Sequence, residues 1–162
     1  AKYLTTQAKD DPIRYVHNEI GYNFRLTNIQ AALGVAQLEQ LPGFLKHKKL
    51  IHENYIEGIK QTDGLAIAKV PDYAENNYWM NHLQIDSDTY GADREEIMAR
   101  LDKNGIQTRP VWALNHLQKP FRNCQSYKIE KADELVKRSL CLPSSTNLSD
   151  GDICKVIDIL HG

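Results

Sequence analysis

The chain lacks the features that would assign it to a membrane, a disulfide scaffold or a polyanionic partner. No apolar run approaches the roughly 18 residues of a membrane-spanning helix. The opening stretch, Ala1-Lys2-Tyr3-Leu4-Thr5-Thr6-Gln7, has no apolar core of the kind a secretory signal carries. Cysteine is scarce: Cys124, Cys141 and Cys154 are widely spaced and form no C-x-x-C. That disfavours both a disulfide framework and a zinc site, and it fits core or surface thiols in a reducing cytoplasm. The formal net charge is -1 and the isoelectric point near 6.7, so no field of one sign is available to gather nucleic acid. The longest basic run, Lys46-His47-Lys48-Lys49, reads as a solvated helix face. Neither G-x-G-x-x-G nor G-x-x-x-x-G-K occurs. His52-Glu53 lacks the second histidine of H-E-x-x-H, and His47 and His52 are five apart, so they do not share a helix face as zinc ligands would. No metal site is expected.

What is present fits a globular domain. Of the 162 residues, 41% are apolar and 25% charged, which is the balance of a chain that buries a core. A chain of this length buries about 70% of its unfolded surface and needs no covalent staples. The length fits one domain, or one small domain with an appendage. Residues 1–20 read as polar and irregular, with a turn at Asp11-Pro12. Thr27 and Gln30 form the S/T-x-x-Q capping box that opens a helix. Ile29, Ala32, Leu33 and Ala36 follow at helical spacing, and small residues at 31, 32, 34 and 36 permit close approach of a neighbour. Leu41-Pro42-Gly43 interrupts or kinks the pattern before Phe44, Ile51, Tyr55 and Ile59 resume it. Two helices, or one long bent helix, are expected over residues 27–60.

Beyond residue 60 the period changes. Leu65, Ile67 and Lys69 predict an edge strand before Pro71, and Tyr78 to Asp86 a second strand with Trp79, Leu83 and Ile85 on one side. Asp93 and Glu96 open a helix bearing Ile97, Met98 and Leu101, which Gly105 stops. Ile106 to Trp112 is a third strand candidate, and Asn115 to Gln125 reads as loop around Pro120. Ala132, Leu135, Val136 and Ser139 mark a helix, and Ser149 caps a last one bearing Ile153, Val156, Ile157 and Leu160. The expected fold class is α/β: a helical arm over residues 1–60, then a small α+β domain over residues 61–162 with a mostly antiparallel sheet. The arm's apolar stripe requires a partner, either a further domain or a second subunit. Trp79 and Trp112 are expected as core or pocket-lining aromatics.

One stretch carries chemistry: Gly21-Tyr22-Asn23-Phe24-Arg25-Leu26-Thr27-Asn28-Ile29-Gln30-Ala31-Ala32-Leu33-Gly34. It places an amide and a guanidinium two residues apart on a turn that runs into a helix. Asn23 is a short amide donor able to approach a phosphate, or a turn residue that closes its own backbone. Arg25 is a fixed fork suited to phosphate or carboxylate, or to a surface ion pair. The stretch resembles the signature of the DegT/DnrJ/EryC1/StrS sugar aminotransferases. Gly105-Ile106-Gln107-Thr108-Arg109-Pro110-Val111-Trp112 with Asn115-His116-Leu117-Gln118 is similar to the family's small-domain strand and active-site loop. Leu140-Cys141-Leu142-Pro143-Ser144 is similar as well. The Arg-Pro-x-Trp form resembles members acting on UDP-linked 4-keto-6-deoxy-N-acetylglucosamine.

The resemblance implies the carboxy-terminal part of an aspartate-aminotransferase-like, type I fold, with residues 1–60 as the end of the large domain plus a dimer-forming arm. It implies pyridoxal phosphate as cofactor, glutamate as amino donor, a UDP-linked keto sugar as acceptor, and a homodimer in the cytoplasm. By resemblance, Asn23 reaches the cofactor phosphate of the other subunit. Arg25, His116, Gln118, Arg109 and, more weakly, His17 face the substrate. The family's Schiff-base lysine lies upstream of the Gly-Tyr-Asn-x-Arg motif. Lys2 and Lys9, the lysines before Gly21, lack its serine and glycine neighbours. The chain is therefore expected to begin downstream of that lysine, and to be inactive alone. A non-catalytic module of the same fold is the alternative, and a family dehydratase with histidine in the lysine's place stays open.

Overall fold

The computed structural model describes residues 1–11, 13–14 and 16–162. The turn expected at Asp11-Pro12 lies partly outside them, at Pro12. Contacts gather the chain into two compact units, residues 1–42 and residues 43–162.

The first unit opens with α1 (Lys2–Thr5), a single turn within the stretch expected to be irregular. The backbone then doubles back on itself. Thr6 bridges Asn23, Gln7 N–H donates to Tyr22 C=O at 2.9 Å, and Tyr22 N–H donates to Leu4 C=O at 2.7 Å. Gly21 makes this approach possible, since a Cβ there would lie 2.3 Å from the Gln7 carbonyl carbon and 2.4 Å from the Ala8 nitrogen. Gln7 and Ala8 opposite it both hold positive φ, a region that costs a side-chain-bearing residue strain. Ala8 is the one buried apolar side chain among this unit's described residues. Ile20, Phe24, Leu26, Ile29, Leu33 and Leu38 are all largely exposed.

The helix α2 runs from Asn28 to Ile59, 32 residues, with Pro42 inside it. One continuous helix is thus found where an interruption was an open alternative. Its capping box is formed: Thr27 N–H donates to Gln30 Oε1 at 2.9 Å and Gln30 N–H to Thr27 Oγ1 at 3.3 Å. Residues 28–42 of it fall in the first unit and 43–59 in the second.

The second unit holds a four-stranded antiparallel sheet in the order β1-β2-β4-β3, made of β1 (Leu65–Ile67), β2 (Asn81–Ile85), β3 (Arg109–Pro110) and β4 (Ser139–Leu142). Helices α3 (Ser87–Tyr90), α4 (Arg94–Lys103), α5 (Glu130–Lys137) and α6 (Asp150–His161) complete it. Leu83, Ile85, Leu140 and Leu142 pack on one face against Ile51, Tyr55 and Ile59 of α2, Ile97 and Leu101 of α4, and Ile153, Val156 and Leu160 of α6. Each such fully buried aliphatic contributes about 1.5–3 kcal/mol relative to exposure. Asp93 with Glu96 and Ser149 with Asp152 form complete capping boxes on α4 and α6. Gly105, with φ of +77°, stops α4 by donating its N–H to Asp102.

Four expectations require correction. The second strand starts at Asn81, because Tyr78 takes a φ of +51° that breaks an extended run. Trp79 is therefore outside the ladder and exposed. The third strand shrinks to Arg109–Pro110, an edge position that a residue without an N–H tolerates. Asn115–Leu117 and Lys119–Phe121 are 3₁₀ turns rather than loop. Ser139 opens a strand instead of closing a helix, and that strand sits inside the sheet between β2 and β3.

Candidate functional site

In the first unit two of the expected residues, Arg25 and His17, meet at Gln7, and Asn23 joins them through Arg25. Arg25 Nη2 donates to Gln7 Oε1 at 2.8 Å, and Arg25 Nε donates to Asn23 Oδ1 at 3.1 Å. His17 Nδ1 donates to the Gln7 carbonyl at 2.7 Å. Tyr22 and Phe24 stack in parallel, ring centres 5.4 Å apart, on either side of Asn23 in sequence. Asn23, Arg25 and His17 are all exposed. Arg25 makes no ion pair among the described residues. The Asn23 carbonyl is engaged by Arg25, and its Nδ2 donors have no partner among the described residues. Beside the cluster, Asp10 accepts from Asn18 N–H and Tyr3 Oη, which hold its carboxyl below the usual range. Gln7 was not foreseen. Its role depends on the doubled-back chain, which no local pattern encodes.

The second unit carries a separate set. A cavity of about 370 Å³ is lined by Met80, Arg109, Pro110, Trp112, Cys141 and Pro143 among others. Arg109, Cys141 and His82 are cross-strand neighbours, on the sheet face opposite the core. Burial pushes the Cys141 thiol up and the His82 imidazole down, so both are neutral near pH 7. The Arg109 side chain makes no hydrogen bond or ion pair among the described residues, while its backbone pairs with Cys141 at the sheet edge. His116 stands half-buried on the 3₁₀ turn Asn115–Leu117, with Gln118 just after it and exposed. Neither lines the cavity.

Behind the cavity lies a support that sequence reasoning missed. Lys48, placed by the sequence on a solvated face, is half-buried and donates to both the carbonyl and hydroxyl of Ser144. Burial holds its ammonium below the usual lysine pKa. His47 donates to the Leu148 carbonyl at 3.1 Å, and Tyr55 to the Pro143 carbonyl at 3.0 Å. Ser144 Oγ in turn donates to the Trp79 carbonyl. The only available signal was the spacing of His47, Lys48, Tyr55 and the buried Ile51 on adjoining turns. Among the described residues, no group of three or more His, Cys, Asp or Glu could hold a metal ion, and no helix is long and apolar enough to cross a membrane.

A small antiparallel sheet with its helices on one face, preceded by a long helix, is shared with aminotransferases of type I fold. The structure aligns with DesI in the presence of its TDP-sugar product at a TM-score of 0.80 and 26% identity, covering 99% of this chain and 41% of that one. It aligns with the aminotransferase TlmJ of Streptoalloteichus hindustanus at 0.79 and 24%, covering 99% and 42%. In sequence, the profile of the DegT/DnrJ/EryC1/StrS aminotransferase family matches residues 2–161, and the chain belongs to that family. The protein named "Putative pyridoxal phosphate-dependent aminotransferase EpsN", of Bacillus subtilis strain 168, is 34% identical over 99% of this chain and 42% of its own length. GDP-perosamine synthase of Escherichia coli O157:H7 is 33% identical over 91% and 39%. The chain thus spans about two-fifths of the length of the curated relatives it matches.

Proposed function

We propose that this chain acts within a pyridoxal phosphate-dependent aminotransferase that moves an amino group from glutamate to a UDP-linked 4-keto-6-deoxy sugar, in the cytoplasm. Residues 1–60 would be the end of the large domain and a linking arm, and residues 61–162 the small domain. The observation that carries the reading is the Asn23 amide. Its carbonyl is fixed by Arg25, which leaves both Nδ2 hydrogens free for an anion, and it sits in a stretch matched by the family. That arrangement fits the phosphate end of the cofactor. A Schiff-base site does not follow from these residues, since Lys2 and Lys9 sit on and just after the short α1 turn without the neighbours such a lysine has.

When bound, pyridoxal phosphate supplies the electron sink for amino transfer. Asn23 would hold the phosphate across a homodimer contact, and Arg25 would face the substrate or donor carboxylate. His17 would keep Gln7, and through it Arg25, in position. Arg109, His116 and Gln118 would face the sugar nucleotide from the small domain. A second copy is the proposed cover for Ile29, Leu33 and Leu38, which are 84%, 64% and 66% exposed. The stand-alone non-catalytic module is less well supported, because the relatives matched along this same stretch carry aminotransferase or synthase names.

Two measurements test the proposal. The 162-residue chain, mixed with pyridoxal phosphate and treated with borohydride, should yield no trapped lysine on peptide mapping. The protein from the full reading frame should form 2-oxoglutarate from glutamate only with the keto-sugar nucleotide, and Asn23→Ala should weaken its cofactor binding about tenfold. A lysine trapped within residues 1–162, or unchanged cofactor affinity in the Asn23 variant, would refute the assigned roles.

A further inference from the structure

Asn104-Gly105 is the only Asn-Gly pair in the chain. Glycine has no Cβ to shield its backbone nitrogen, so that nitrogen can approach the side-chain amide of the residue before it. Both residues are exposed, at the C-terminal end of α4. Water therefore reaches an asparagine whose neighbour is the residue that least hinders ring closure.

The fold holds this pair in an unreactive shape. Closing a five-membered imide requires the Gly105 nitrogen and Asn104 Cβ to be nearly eclipsed about the Cα–C bond. Asn104 has a ψ of 11°, which keeps them well apart. Hydrogen bonds fix that angle. Asn104 N–H donates to Leu101 C=O at 3.0 Å, and Gly105 N–H to Asp102 C=O at 2.8 Å. Asn104 Nδ2, the nitrogen that would leave, donates to Arg100 C=O at 2.9 Å. These three bonds are local to the last turn of α4, and helix ends fray. A fourth comes from another element: Lys155 Nζ of α6 donates to the Asn104 carbonyl at 2.9 Å. It ties the turn to a helix whose Ile153, Val156 and Leu160 sit in the core. Rotating ψ toward closure carries the Asn104 oxygen off the ammonium, so this clasp opposes the reaction.

We infer that Asn104 is a site of spontaneous deamidation, slowed by the clasp that Lys155 places on the end of α4. In the opened turn the Gly105 nitrogen gives its proton to solvent base and attacks Asn104 Cγ. The N–Cγ bond forms, the Cγ–Nδ2 bond breaks, and the amide nitrogen leaves as ammonia with a proton from water. Water then opens the imide at one carbonyl to aspartate or at the other to isoaspartate, and it is the only co-reactant. Either product places a carboxylate beside a cavity of about 340 Å³ lined by Arg100, Lys155 and Asp158 among others. The isoaspartyl product also adds a carbon to the main chain between the stop of α4 and β3. That carbon falls just ahead of Ile106, which packs against the core, and on the approach to Arg109. The site is separate from the proposed amino transfer and does not depend on it.

Ageing the 162-residue chain in warm, mildly alkaline buffer tests the inference, with ion-exchange chromatography and peptide mapping as readouts. A more acidic species should form, carrying aspartate and isoaspartate at position 104 ahead of every other asparagine. Asn104→Gln should abolish it, because the longer side chain closes a six-membered ring far more slowly. Asp63-Gly64 and Asp150-Gly151 isomerise without a change of charge and do not contribute to the acidic species. The folded chain should react more than about tenfold more slowly than the chain in urea, since several hydrogen bonds of the cap must break first. Lys155→Met should speed the folded reaction about three- to tenfold and leave the reaction in urea unchanged. Lys155 is exposed, so far-UV dichroism should match the unsubstituted chain. The isolated isoaspartyl form should melt below Asn104→Asp, which carries the charge without the extra carbon, and equal melting would remove the assigned effect on the approach to β3. An acidic species that persists in Asn104→Gln, equal rates in the folded and urea-unfolded chain, or a Lys155→Met rate no faster than that of the unsubstituted chain overturns the inference.

Discussion

Replacing Gly21 by alanine tests the doubled-back chain that assembles Asn23, Arg25 and Gln7. The added Cβ would stand 2.3 Å from the Gln7 carbonyl carbon, 2.4 Å from the Ala8 nitrogen and 2.7 Å from the Ala8 Cβ. Two of these are main-chain atoms, so no rotamer change relieves the overlap. The segments must separate, at the expense of the Gln7-to-Tyr22 and Tyr22-to-Leu4 hydrogen bonds. Overpacking of ~1–3 kcal/mol with one or two hydrogen bonds of ~1 kcal/mol each gives about 2–5 kcal/mol of local destabilisation. At 1.4 kcal/mol per decade, the Gln7 and Tyr22 amides should exchange with solvent roughly 30- to 4,000-fold faster, up to the rate of an unprotected amide. Gly34→Ala is the paired control. Nothing lies within 4 Å of its would-be Cβ in α2, so the same methyl should stabilise by ~0.5–1 kcal/mol. Exchange at Gln7 and Tyr22 in Gly21→Ala within about threefold of the unsubstituted chain would refute the close approach and the convergence built on it.

Other outcomes follow from the same structure. Tyr55→Phe should lower stability to urea by about 1–2 kcal/mol, by leaving the Pro143 carbonyl without its donor. Burial raises the Tyr55 hydroxyl above its ordinary 10.0, so the folded state keeps a proton that the unfolded state releases. Stability should hold below pH 10 and fall above it, and an alkaline denaturation series should find that slope reduced in Tyr55→Phe. Ser149→Ala should cost about 1 kcal/mol in thermal melting by removing the α6 cap. The Ser149 hydroxyl and N–H hold Asp152 below its ordinary 3.8, so the cap's contribution is present above that pH and lost as pH falls past it. The melting difference between Ser149→Ala and the unsubstituted chain should therefore shrink in acid. Light scattering should show concentration-dependent association that Leu33→Glu with Leu38→Glu reduces, and a clean monomer at all concentrations would reject the exposed stripe as a self-contact.

Where a local rule acts alone, sequence reading located the element. The Thr27, Asp93 and Ser149 caps each depend on two side chains three residues apart, and all three are formed. Ile97 and Leu101, and Ile153, Val156 and Leu160, are buried as their spacing requires. Reading failed where distant segments decide. Ser139-Leu140-Cys141-Leu142 shows no alternation because all four side chains are buried, and its paired strands begin some thirty to sixty residues earlier. Trp79 looked like a strand residue because Asx turns at Asn76 and Asn77 leave little mark on hydrophobic period. Lys48 looked solvated because its oxygen partners lie on Ser144. At the candidate site, Asn23, Arg25 and Arg109 were singled out by their motifs, whereas the places of Gln7 and of the lysine behind the cavity needed coordinates.

The position of β4 has a consequence for biosynthesis. A chain emerging from the ribosome presents β2 with an open edge until Ser139–Leu142 follows, and β3 cannot join the sheet before then. Closure of the sheet is thereby deferred until Ser139–Leu142 has been synthesised. Nascent chains stalled before residue 139 should display an unpaired strand edge for chaperones to shield, and those completed through α6 should not.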